Sequence, residues 1–84
     1  MKYELFIERQ AQRRLAHIAQ PYQDRIIAKI QDLADEPRPV GAKKLSGREG
    51  WRIRMGDYRV IYEIHDKSLI ILVVAIGHRR EIYR

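Results

Sequence analysis

The sequence predicts an α+β domain in the order β-α-α-β-β-β, a mainly antiparallel sheet with a helical hairpin packed on one face. Two apolar stripes at helical spacing, separated by Gln20-Pro21, supply the hairpin. Three strand-like segments after residue 50, divided by the turn dipeptides Gly56-Asp57 and Asp66-Lys67, supply most of the sheet. The chain has 84 residues with no internal repeat or linker, so one domain spanning residues 1–84 is expected.

Tyr3, Leu5 and Ile7 alternate with polar neighbours and read as a first short strand. Residues 8–19 follow as a helix, with Ala11, Leu15 and Ile18 on one stripe. Pro21 suits the first turn of a second helix, which runs to about Asp35 on a stripe of Ile26, Ile30 and Leu33. Pro37 and Pro39 stop it, and so short a break between helices favours an antiparallel pair. Residues 40–50 read as a loop. Beyond it, Trp51, Ile53 and Met55 alternate with Arg52 and Arg54, and Tyr58, Val60, Tyr62 and Ile64 with Arg59, Ile61 and Glu63. Leu69 to Ile76 is apolar throughout, as in a central strand covered on both faces, and Gly77 ends it.

Charge is distributed unevenly. Seventeen Lys+Arg oppose 11 Asp+Glu, a net charge of +6. Residues 1–42 hold seven basic and six acidic side chains, and residues 43–84 hold ten and five. The second half therefore presents a basic surface, which points to a polyanion and most simply to nucleic acid. Other chemistries lack their residues. With no cysteine there is no disulfide, thiolate metal site or cysteine nucleophile, and a reducing cytoplasm suits the chain. His17, His65 and His78 are scattered without metal-ligand spacing. No Gly-rich phosphate loop is present, so neither a cofactor nor a small-molecule substrate is expected. The longest apolar run, eight residues, cannot span a bilayer, and the N-terminus has no apolar signal core; no membrane partner is expected.

A two-residue turn at Gly56-Asp57 would pair Met55 with Tyr58, Arg54 with Arg59, Ile53 with Val60 and Trp51 with Tyr62. The apolar members then share the helix-covered face, and Arg54 and Arg59 meet on the other, with Arg52 one step along. Directly opposed like charges destabilise an antiparallel pair, and an anionic ligand would offset that cost. The last strand should return beside residues 58–64, bringing His78, Arg79, Arg80 and Tyr83 toward the same patch. Lys43, Lys44 and Arg48 in the preceding loop, with Arg80, are candidate RNA contacts. The same register places Ile61, Ile70, Leu72, Val74 and Ile76 on the face away from the helices, an apolar surface suited to a protein partner.

The stretch WRIRMGDYRVIYEI followed by ILVVAIGHRREIY resembles the RelE/ParE superfamily of bacterial toxins, in its RelE-like branch, and the likeness extends over the whole chain. The resemblance implies the toxin of a type II toxin–antitoxin system, a ribosome-dependent endoribonuclease that cuts mRNA in the decoding site by attack of the ribose 2′-hydroxyl, without a metal. By motif, Arg52, Arg54, Arg59, Arg79 and Tyr83 occupy the family's functional positions. Arg54 and Arg59 would stabilise the pentavalent phosphate, Arg79 the leaving 5′-oxygen, and Tyr83 would stack on or orient a base. Family members carry lysines where Arg52 and Arg54 stand; arginine does not give up its proton, so His78 becomes the local candidate for general base. The implied partners are the ribosome, mRNA and a cognate antitoxin with an acidic amphipathic segment. The alternative is a ParE-like inhibitor of DNA gyrase acting by protein contact.

Overall fold

In the computed structural model, which describes residues 2–82, the N-terminal alternation becomes strand β1, Glu4–Ile7. Helix α1 covers Arg9–Ala16 and helix α2 Tyr22–Asp32, both about one turn shorter at their C-termini than the periodicity suggests. Strand β2 is Lys43–Lys44, β3 Trp51–Met55, β4 Tyr58–His65 and β5 Ile70–His78, and a single helical turn, α3, follows at Arg79–Ile82. The five strands form one sheet in the order β1-β5-β4-β3-β2, antiparallel except where β1 runs parallel to β5. The expected α+β layout holds, with two additions. Lys43 and Lys44 leave the expected loop to pair with Arg52 and Trp51, and the C-terminal tail begins as α3. Neither has a sequence signal: two residues are too few for a period to register.

Both helices lie on one face of the sheet. Ala11, Ile26, Ile30 and Leu33 pack against Ile53, Val60, Tyr62, Ile71, Val73 and Ile76 in a single core, with Leu15 and Ile18 at its margin. The Gln23 side-chain amide donates to the Leu15 carbonyl at 3.0 Å and ties the helices together. Among the described residues no helix is long and apolar enough to cross a membrane.

The hairpin register agrees with the sequence reading at every position: Met55 opposes Tyr58, Arg54 opposes Arg59, Ile53 opposes Val60 and Trp51 opposes Tyr62. Gly56 has φ +61°, the glycine-first pattern of a II′ turn, whose twist matches the flanking strands. The last strand departs from simple alternation. A bulge makes Ile61 oppose Ala75 and Tyr62 oppose Val73, leaving Val74 as the extra residue. One inserted residue exchanges the faces. Ile76 therefore joins the core beside Ile71 and Val73, a correction to the apolar outer face expected from the sequence. Ile61 stays on the outer face but is 2% exposed. The loop before β3 folds over it. Gly50 has φ +131°, which L side chains rarely adopt, and a Cβ there would lie 3.2 Å from Leu45 Cδ1 and 3.9 Å from Ile61 Cγ2, so the loop packs closely over Ile61. What is left of the outer apolar face is half-buried Ile70, Leu72 and Val74, with Phe6 exposed beside Leu72 across the β1–β5 ladder.

The connection after α2 is held from two sides. The fully buried Tyr62 hydroxyl donates to the Pro37 carbonyl at 2.7 Å. Arg38 Nη2 donates to Asp66 Oδ2 at 2.9 Å, Tyr3 donates to Asp66 Oδ1 at 2.6 Å, and the Arg38 guanidinium lies 5.3 Å from the Trp51 ring centroid.

Two measurements check these anchors. Burial pushes the Tyr62 phenol from 10.0 up to about 12. A raised pKa contributes stability that is complete below the ordinary value and is lost as pH rises toward the folded one. Stability should therefore decline between pH 10 and 12. Tyr62→Phe should lower stability at neutral pH by about 1–3 kcal/mol, because it orphans a buried carbonyl, and should remove that share of the alkaline slope in denaturant titrations. Hydrogen bonds from Arg38, and secondly from Tyr3, hold the Asp66 carboxyl below the usual carboxylate range. Its contribution is present above that range and disappears as pH falls through the lowered value. In an NMR titration Arg38→Ala should return Asp66 toward an ordinary carboxylate.

Candidate nucleic-acid interface

The β3–β4 hairpin delivers a row of arginines to the face away from the helices. Arg54 and Arg59 are direct cross-strand partners, which places their Cα atoms about 4.5–5.5 Å apart, and Arg52 lies two residues along β3. Gly77 opposes Arg59 on the other side, so the neighbouring position in β5 carries no side chain. Arg54 reaches solvent, whereas Arg52 is 7% and Arg59 9% exposed. Two of their donors, Arg52 Nη1 and Arg59 Nε, are buried without a hydrogen-bond partner.

Arg54 and Arg59 opposed across the ladder, in a row that buries unsatisfied N–H donors on Arg52 and Arg59, are an expensive arrangement. An orphaned buried donor costs about 1–3 kcal/mol, more when the group is charged. An oxyanion relieves both costs together, because it accepts from several guanidinium donors at once and screens one cation from the other. The geometry is that of an anion site with a fork-shaped donor set, suited to phosphate oxygens.

A cavity adjoins this row. About 420 Å³ in volume, it opens where β3 has no strand partner beyond Arg52, and Arg52, Arg54, Lys43, Lys29 and Asp32 line it. Lys43 thus joins the arginines as the sequence suggests, and Lys29 is an addition. Only the docking angle of α2 on the sheet edge brings Lys29 there, and helical periodicity does not carry that angle.

The other sequence candidates lie elsewhere. Lys44 stands 5.8 Å from the Trp51 ring centroid, on the side of Arg38. Arg48 is exposed in the loop that covers Ile61. Arg79 and Arg80 are exposed at the start of α3. The Arg79 backbone N–H donates to the Asp57 carbonyl at 2.8 Å, which docks α3 on the hairpin turn, and Arg79 Nε is 4.0 Å from Asp57 Oδ1. Tyr83 lies outside the described residues.

His78 is a positional correction. It opposes Tyr58, whose ring packs against the core, while the adjacent pair Arg59–Gly77 faces outward. Successive strand residues point to opposite faces, so the imidazole is on the helix side of the sheet and the arginine row on the other. Its Nδ1 accepts the Arg80 backbone N–H at 3.3 Å, so the neutral ring carries its proton on Nε2. The ring lies edge-on to Tyr58, with centroids 5.9 Å apart. Proximity in sequence to Gly77 suggested the opposite side, because a tail after a terminal glycine has no fixed parity.

Comparison with known proteins agrees with the fold. Residues 5–83 match the family described as the ParE toxin of the type II toxin–antitoxin system parDE. Toxin RelG of Mycobacterium tuberculosis is 36% identical over 56 residues, covering 63% of this chain and 62% of RelG. A putative RelE-like toxin protein of Escherichia coli is 26% identical over 81 residues, covering 94% of this chain and 85% of its own. Among solved structures, the RelE–RelB complex of Pyrococcus horikoshii superposes with a TM-score of 0.81 at 26% identity, covering 96% of this chain and 99% of that one. The RelBE2 toxin–antitoxin complex of M. tuberculosis superposes with a TM-score of 0.82 at 23% identity, covering 94% of this chain and all of that one. A family match running from the first strand to the tail, on a fold shared with RelE structures, places the chain in the ParE toxin family of type II toxin–antitoxin systems, as a RelE-like member of the RelE/ParE superfamily.

Proposed function

We propose that this toxin is a ribosome-dependent endoribonuclease that cuts mRNA in the decoding site. The observation that carries the reading is the pair of buried, unsatisfied guanidinium donors on Arg52 and Arg59, beside the opposed Arg54. A gyrase inhibitor acting through protein contact has no need of a phosphate-shaped donor set sunk below the surface.

In the proposed reaction the 2′-oxygen of one ribose attacks the adjacent phosphorus and the bond from phosphorus to the 5′-oxygen breaks. The products are a 2′,3′-cyclic phosphate and a 5′-hydroxyl. The attacking hydroxyl's proton passes to solvent, and the leaving oxygen takes up another. Arg52, Arg54 and Arg59 act by holding the phosphate and stabilising the charge that accumulates on its oxygens, which is positioning and electrostatic catalysis without a protein base. Arg79, whose guanidinium reaches Asp57 of the hairpin turn, would stabilise the departing oxygen. His78 does not serve as base, since it faces the other side of the sheet.

The cognate antitoxin is the natural second partner, and two of the similar structures are toxin–antitoxin complexes. An acidic amphipathic segment fits this surface: carboxylates would meet the arginine row, and apolar side chains would meet Phe6 and Leu72 on the same face. The family match, to a ParE toxin, favours gyrase inhibition as the second reading.

Mapping mRNA 5′ ends after induction, with gyrase supercoiling assayed in parallel, separates the two. Cuts within translated frames are expected, with supercoiling unaffected; the reverse result assigns the gyrase role. Arg59→Ala should lower the cleavage rate about 10²–10³-fold, the usual cost of removing one preorganised charge-stabilising donor. Arg52→Met should leave the free protein at least as stable as the parent, since it removes a buried unsatisfied charge while keeping the aliphatic stem, and should cut mRNA more slowly. Thermal melts alongside single-turnover cleavage check both effects; a large stability loss in Arg52→Met would show that the guanidinium holds the fold and not the substrate.

A further inference from the structure

A second cluster lies at the hairpin turn, on the side of the sheet that faces the helices. Two adjoining cavities, of about 330 and 180 Å³, share Tyr58 and His78 as a common wall. Tyr22, on the first turn of α2, lines the first, and Arg14, on the last turn of α1, and His17, its C-cap, line the second. The three rings stand in a row. Tyr22 and Tyr58 are tilted at 43° with centroids 5.8 Å apart, and Tyr58 and His78 meet edge to face at 5.9 Å. Tyr58 packs against the core, but Tyr22 is 45% exposed and adds little to it. The His17 Nδ1–H donates to the Arg13 carbonyl at 2.7 Å, which fixes that ring at the end of α1.

An exposed aromatic ring beside a half-buried one, flanked by a guanidinium and an imidazole, matches the two parts of a nucleotide. The π-face suits any base, and the guanidinium suits the phosphate that follows it. The chain's charge of +6 favours a polyanion over an acidic-poor peptide, and this groove and the arginine row lie on opposite faces of the same hairpin tip. We propose that Tyr22, Tyr58 and His78 form a platform for one unstacked RNA base, with Arg14 toward its phosphate. The toxin then holds RNA on both sides of its hairpin tip. This inference rests on the reading of the protein as an RNA-cleaving toxin. The base comes either from mRNA beside the cut or from ribosomal RNA; the chemistry is the same.

Wild type, Tyr22→Phe and Tyr22→Ala are compared for affinity to ribosomes programmed with a 2′-O-methyl mRNA, which cannot be cut, and to the same ribosomes without mRNA. Tyr22→Ala is expected to bind roughly ten-fold more weakly, and Tyr22→Phe, which keeps the ring, to match wild type. A loss confined to programmed ribosomes identifies an mRNA base; a loss on both preparations identifies ribosomal RNA. Equal affinity of all three proteins on both, or an equal loss in Tyr22→Phe, overturns the platform. Thermal melts confirm that each variant is folded. Cleavage of unmodified mRNA by the wild type is followed alongside. Cleavage without the Tyr22→Ala loss removes the platform alone, and the Tyr22→Ala loss without cleavage removes the nuclease reading alone.

Discussion

The register of one hairpin governs the rest of this molecule. With Gly56 in a left-handed conformation, the chain reverses in two residues and every pairing between β3 and β4 follows. That register puts Ile53, Val60, Trp51 and Tyr62 under the helices and Arg52, Arg54 and Arg59 on the opposite side. A slip of one residue would bury the arginines in the core and expose the apolar set. The core therefore enforces the juxtaposition of Arg54 and Arg59, although like charges opposed across a ladder are unfavourable by themselves. Hydrophobic burial on one face holds a repulsive pair in place on the other.

The interactions that stabilise the fold are kept apart from that row. Tyr62 with Pro37, and Asp66 with Arg38 and Tyr3, secure the connection after α2 toward the opposite end of β4 from the hairpin turn. Fixing that connection also fixes the path of residues 39–43, which carries Lys43 to the cavity edge beside Arg52 and Arg54. Asp66 satisfies its cation; the arginines of the row are not given a carboxylate among the described residues. One set of charges is neutralised within the fold, and the other keeps unsatisfied donors.

Sequence pattern reveals most of this arrangement where a short-range rule governs it. Period-two alternation on either side of Gly56-Asp57 suffices to pair Arg54 with Arg59, because a hairpin is local and its turn dictates the count. The same rule fails in β5. Leu69 to Ile76 is apolar at every position, so no alternation marks the bulge at Val74, and Ile76 cannot be assigned a side without the partner strand. His78 inherits the same ambiguity, and its face is settled by pairing with Tyr58. Lys29 and Tyr22 enter their cavities through the docking of α2, a tertiary relation between elements distant in sequence. Local pattern records what neighbours do and is silent about how separate elements meet.

The order of strands in the sheet has a consequence for biosynthesis. β5 sits between β1 and β4, and β1 meets it in parallel across more than sixty intervening residues. Until β5 has been made, β1 has no neighbour and β4 has one free edge, so the sheet cannot close on a growing chain. Such long-range pairing forms late, after its loop-closure cost has been met. Arg52, Arg54 and Arg59 are all translated before Gly77, yet Arg59 acquires its neighbour in the ladder only when β5 docks. Strand order thus acts as a timing device: a chain halted before β5 already carries the three arginines but not the sheet that arrays them, and the row is completed only once β5 has been made.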